Sequence, residues 1–74
     1  MIRWENALAR RYYEVRVTRD LFDGWVLVRA WGRIGFPQGA IRSDVFASEE
    51  ACSQALERLA RRRRTRGYLK QRDE

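Results

Sequence analysis

Two alternating runs joined by a turn dipeptide constrain this chain more than any other feature in it. Residues 11–19 read Arg-Tyr-Tyr-Glu-Val-Arg-Val-Thr-Arg, so Tyr13, Val15 and Val17 alternate with Tyr12, Glu14, Arg16 and Thr18. Period two is the repeat of a strand with one buried face. Asp20-Leu21-Phe22-Asp23-Gly24 interrupts the run, and Asp-Gly is a strong hairpin signal. A second strand follows over residues 25–34. Val26, Val28, Ala30 and Ile34 fall on one side and read as core. Trp25, Leu27, Arg29, Trp31 and Arg33 fall on the other, an unusual mixture for a face that only needs to be wetted. Gly32 weakens the strand and suggests a bulge or the close approach of another backbone.

After the turn Gly35-Phe36-Pro37-Gln38-Gly39, a third strand is expected from Ala40 to Phe46. Ser48 is a good helix N-cap, and Glu49 and Glu50 suit the positive end of a helix dipole. Cys52, Ala55, Leu56 and Leu59 recur at helical spacing as an apolar stripe. Gly67 fits the position that ends a helix, and Tyr68-Leu69 is short enough for a closing strand. The expected fold is α+β: a small antiparallel sheet of about four strands, ordered β-β-β-α and open to an extra terminal strand, with one helix packed on it. At 74 residues this is one domain, with residues 1–10 partly ordered and 70–74 a frayed tail. A chain this short buries only about 60% of its unfolded surface, so large aromatics must supply much of the core.

Sixteen Lys and Arg against ten Asp and Glu give a formal charge of +6, and fifteen of the sixteen cations are Arg. Arg meets phosphate with a planar fork, which puts nucleic acid ahead of an anionic membrane as partner. Eight of the cations lie between Arg58 and Arg72 with no acid among them. Arg61, Arg62, Arg64 and Arg66 are free to meet phosphates, while Arg63 is expected along the apolar seam. The same run also reads as a solvated helix end matched to its dipole. Tyr68 has two readings as well, stacking on a sugar or base, or packing in the core. With no His and a single Cys, the chain builds neither a zinc site nor an internal disulfide, and no metal or cofactor is expected. Glu49-Glu50 and Asp73-Glu74 do not frame a substrate, and Cys52 reads as an inert core thiol, so no catalytic residue is assigned. No apolar run approaches a membrane span and no signal peptide is visible, which makes a cytoplasmic setting the expectation.

The stretch Trp31-Gly32-Arg33, with its surroundings, resembles the WGR family. The Tyr-rich strand before it, the Asp-Leu-Phe-Asp-Gly-Trp hairpin, the apolar residue and Gly after Arg33, Phe46, the Ser-Glu-Glu-Ala helix start and Gly67-Tyr68 carry the likeness over residues 11–69. The resemblance implies a small antiparallel sheet with one helix. In the DNA-dependent poly(ADP-ribose) polymerases such a domain meets the DNA break, its Trp near the terminal nucleotide and its Arg at DNA or a neighbouring domain. Carried over, those roles fall on Trp31 and Arg33 of the Trp31-Gly32-Arg33 motif, with Arg29 a weaker candidate. The expectation is a non-enzymatic nucleic-acid-binding module, preferring DNA to RNA and ends or nicks to continuous duplex. A protein-interaction module using the same Trp/Arg face is the alternative. A purely structural reading also stands, with Trp31 packed on the sheet and Arg33 paired with Asp44 or Glu14.

Overall fold

In a computed structural model that describes residues 1–71, the chain runs β1 (Ile2–Asn6), β2 (Arg11–Arg19), β3 (Trp25–Arg33), β4 (Ala40–Phe46), α1 (Glu49–Thr65) and β5 (Leu69–Lys70). The strands make one antiparallel sheet in the order β4-β3-β2-β1-β5. The expected hairpin is β2–β3, paired without a break from Arg19↔Trp25 to Arg11↔Arg33. Its loop is shaped by the Asp20 carboxylate. Oδ1 accepts the N–H groups of Phe22 at 2.8 Å and Gly24 at 2.7 Å. The left-handed residue of the turn is Asp23, with φ of 64°, rather than Gly24.

Residues 1–10, expected to be partly ordered, contain β1, which pairs with β2 on one side and β5 on the other. Trp4 at its centre is only 3% exposed. A five-residue strand too short to show alternation clearly is hard to see in sequence, and Trp4 is its one strong apolar signal. Residue 70, assigned to a frayed tail, lies in β5, whereas residues 72–74, and with them Arg72, lie outside the described residues.

Both helix ends are built as the sequence suggests. Ser48 Oγ accepts the Ala51 N–H at 3.1 Å. At the other end Gly67, with φ of 85°, reverses the chain. The N–H of Gly67 then donates to Arg64 O and that of Tyr68 to Arg63 O, the paired bonds of a Schellman turn. This turn returns Tyr68 to the core, where it is buried.

The core lies on the opposite face of β3 from the one expected, while on β2 the buried side holds Tyr13 and Val15, one of the two alternating sets read from the sequence. Trp4, Tyr13, Val15 and Leu27 are buried with Cys52, Leu59 and Tyr68, and Trp25, Trp31 and Phe46 pack against them. Cross-strand pairing places Trp25, Leu27, Arg29 and Trp31 on the same face as Tyr13 and Val15, under α1. Val26, Val28 and Ala30 therefore face away from the helix and are only half-buried. Alternation separates the two faces of a strand without saying which one the helix covers. Here the larger side chains decide it, because aromatics bury more area than valines.

Candidate nucleic-acid interface

Helix α1 crosses the sheet so that its basic end stands over the Tyr13–Trp31 end of the hairpin. Between them lies an open cleft of about 560 Å³, lined by Arg11, Tyr13, Arg29, Trp31, Arg42, Arg63, Arg66 and Tyr68. Five arginines and three aromatic rings line it, with no carboxylate among them. A smaller groove of about 160 Å³ shares Tyr13, Arg29 and Arg63 with the cleft and extends it past Arg58 and Arg62.

Aromatic side chains on neighbouring strands form the floor. Trp4 meets Tyr13 edge-on, with centroids 6.4 Å apart, and Tyr13 stacks on Trp31 at 5.7 Å and 12°. The next residue across the sheet from Trp31 is Ala40, small and exposed. The row of rings therefore ends at Trp31, which is half-buried.

Arg63 forms the roof. Its guanidinium sits 4.3 Å from the Tyr13 ring centroid and 5.1 Å from that of Tyr68. Such contacts hold a cation in place without neutralising it. Arg29 points inward from β3. Its Nη2 donates to Asp44 Oδ2 at 3.0 Å, and its Nη1 to Tyr13 Oη at 3.5 Å. The Nε–H groups of both Arg29 and Arg63 are buried with no acceptor among the described residues. A charged donor buried without an acceptor carries an uncompensated desolvation cost. Arg42 leans on the other oxygen of Asp44 at 3.5 Å, while Arg11 and Arg66 are exposed and make no ion pair among the described residues.

The candidates read from sequence are thus divided. Trp31, Arg29, Arg66 and Tyr68 come together in the cleft. Tyr68 is buried yet lines it, so the two readings of that residue are compatible. Trp31 packs on the core and presents part of its ring at the same time. Arg33 is exposed beside the cleft, opposite Arg11 in register, with its guanidinium over Phe36 at 5.0 Å. It pairs with neither Asp44 nor Glu14, which are held by Arg29 and Arg42 and by Arg3. Gly32 belongs to the rear face. A Cβ there would lie 3.1 Å from Tyr12 Oη and 3.2 Å from Gly39 Cα, which fits the expected close approach of another backbone. Arg62 borders the smaller groove, Arg64 opens to the far side of α1 with Lys70, and Arg61 is exposed. Arg11, Tyr13 and Arg42 are not singled out by sequence, and Arg63 is expected from it only to cover the seam. Inward-facing Arg at strand ends is the available signal, and it needs the register to be legible.

Residues 5–74 match the model of the WGR domain family. The chain belongs to this family. An uncharacterized protein, y4dW, of Sinorhizobium fredii (strain NBRC 101917 / NGR234) is 38% identical over 58 residues, which is 78% of this chain and 28% of that protein. The chain therefore spans little more than a quarter of that relative's length. No solved structure matches. In this WGR domain the name-giving Trp lines the cationic cleft, the Arg stands opposite Arg11 of its lining, and the Gly between them packs behind the sheet.

Among the described residues there is no cluster of three His, Cys, Asp or Glu placed to hold a metal, and no helix is long and apolar enough to cross a membrane. Cys52 is buried, and burial, aided by the charge of Glu49, pushes its thiol above the ordinary value. A raised value disfavours the thiolate that nucleophilic chemistry needs.

Proposed function

We propose that this WGR domain is a non-enzymatic nucleic-acid-binding module that seats an exposed sugar-base unit in the α1–β3 cleft, preferring DNA ends or nicks to continuous duplex. One observation carries the reading: a cleft lined by five arginines and three aromatics, with no carboxylate in its lining. Phosphate oxygens accept from arginine guanidinium groups and supply most of the affinity. The end of the aromatic row at Trp31 supports the preference for ends, because a base inside a duplex is already stacked whereas a terminal one is free to extend the row. Trp31 is the stacking surface. Arg11, Arg66 and the exposed Arg33 flank it as phosphate ligands, and Arg62 continues the track along the smaller groove. A protein partner on the same face would have to bring several acidic groups to these arginines.

The test is binding of the purified protein to blunt duplex, nicked duplex, closed circular DNA and RNA across a salt series. Arg11→Ala, Arg42→Ala and Arg66→Ala change exposed side chains and leave the core alone. Each is expected to reduce the slope of log affinity against log salt by about 0.9 for every duplex phosphate that the variant no longer neutralises. Undetectable binding at low salt overturns the reading and moves the protein-partner alternative ahead. Equal affinity for ends and circles removes the end preference alone.

A further inference from the structure

The sheet face away from α1 is uncovered, and its make-up differs from that of the rest of the molecule. Val26, Val28 and Ala30 of β3 lie beside Ile41 and Val45 of β4, which are 73% and 65% exposed. A shallow hollow at the centre of this face is lined by Met1, Glu14, Arg16, Val28, Ala30 and Ile41. The charges alternating onto the same face from β1 and β2 are Arg3, Glu5, Glu14 and Arg16. The side-chain charges balance here, two cations against two anions in a chain of net charge +6, and the α-amino group of Met1, which lines the hollow, adds one positive charge. Arg3 is held by both Glu5 at 2.8 Å and Glu14 at 3.1 Å, whereas Arg16 is exposed and has no ion-pair partner among the described residues.

We propose that this rear face binds a second copy of the chain in a back-to-back, two-fold dimer. Charge balance is the first argument. Copies meeting through the cationic cleft would repel, whereas the side-chain charges of this face cancel and leave little to prevent approach. Self-complementarity is the second. A two-fold interface sets residue i against j and j against i. Glu14 and Arg16 stand two apart on β2, opposite Ala30 and Val28 of the apolar strip. A two-fold axis between them sets Glu14 of each copy against Arg16 of the other, and the valines and Ile41 close beside the pairs, on the β3–β4 side. Aligned sheets of this kind pack about 10 Å apart through small side chains. Area sets the strength. Four strands roughly 4.8 Å apart and about 23 Å long give on the order of 450 Å² of projected face. Standard stable interfaces bury about 800 Å² per partner, so the dimer is weak and concentration-dependent. The two clefts then face outward on opposite sides.

The experiment is sedimentation equilibrium of the nuclease-treated full chain from low micromolar to near-millimolar concentration. A reversible monomer–dimer equilibrium is expected. Ile41→Asp changes an exposed side chain, so its melting temperature should be kept while dimerisation weakens roughly tenfold or more. Arg16→Glu and Glu14→Arg should each weaken self-association, and mixing the two variants should restore a dimer, because each supplies the charge that the other lacks. A chain that stays monomeric throughout overturns the proposal, as does association that survives Ile41→Asp. A mixture no more associated than its parts overturns the pairing of Glu14 with Arg16. None of these outcomes bears on nucleic-acid binding by the opposite face.

Discussion

Asp44 stands beside the cleft and holds Arg29 at 3.0 Å and Arg42 at 3.5 Å. It orients these guanidinium groups and also opposes any anion approaching them. A charge about 4 Å away is worth roughly 1 kcal/mol in water-like surroundings. Asp44→Asn keeps the acceptor and removes the charge, so it should tighten nucleic-acid binding up to about fivefold at low salt, an effect that fades as salt rises. Weaker binding in a titration of the folded variant would show that orientation outweighs repulsion. Gly39 makes a different residue-scale prediction. A Cβ there would lie 2.5 Å from the Trp31 carbonyl oxygen and 2.8 Å from Tyr12 Oη. The backbone oxygen cannot swing aside, so Gly39→Ala should destabilise the fold by about 1–3 kcal/mol, read as a fall in denaturation midpoint. Gly32 can be read in sequence as a point of close approach. Its neighbours Tyr12 and Gly39 cannot, because one lies across the hairpin on β2 and the other ends a turn whose shape the sequence leaves open.

At the scale of elements, the hairpin, β4 and both helix caps are legible because local signals specify them: alternation, Asp-Gly, Ser before Glu-Glu, and Gly after the basic turn. The facing of the sheet is not. Val26, Val28 and Ala30 and the set Trp25, Leu27 and Trp31 are both apolar, and only packing against Cys52 and Leu59 of α1 selects between them. The cleft is hidden for the same reason. Arg29 and Trp31 stand out as candidates in sequence, but Arg11, Tyr13 and Arg42 join them only through strand register. The aromatic row yields the element-scale prediction. Ala40→Phe should place a ring beside Trp31 and fill the position proposed for a terminal base. The expected result is a protein of unchanged melting temperature that still binds with a steep salt dependence. Its preference for ends or nicks should fall by roughly tenfold, since a stacked base contributes about 1–3 kcal/mol. A variant that still discriminates ends in competition binding would place the recognised base elsewhere.

For the whole molecule, charge is distributed unevenly about α1. One flank carries Arg58, Arg62 and Arg63 beside the smaller groove. The other carries Glu57 and Arg64 and faces Lys70 of β5 across a hollow lined by Ile2, Trp4 and Leu56. Sequence alone makes Arg61, Arg62 and Arg64 equivalent, because a run of four Arg encircles a helix. The fold separates them. Arg62→Ala should lower affinity and flatten the salt dependence by about one phosphate's worth, and Arg64→Ala should do much less. Equal effects from the two, measured on one duplex, would mean that the polymer does not follow the groove side of α1.

The pairing of β1 with β5 sets Trp4 opposite Lys70 and lets the Gln71 N–H donate to Arg3 O at 2.8 Å. Residues 2 and 71 thus lie close together, on the edge away from β4. Such a body can be spliced into a loop of a larger protein as a closed bead, with almost no gap between the severed ends of the host. It can equally be made circular. Joining residues 2 and 71 through a short linker and opening the chain between Leu21 and Phe22, which are 96% and 90% exposed at the hairpin tip, should leave a folded permutant. Its circular dichroism should match that of the parent, with the melting temperature lowered because the Asp20 loop bonds are broken. Failure to fold would mean that the tip of β2–β3 must be continuous for the sheet to assemble.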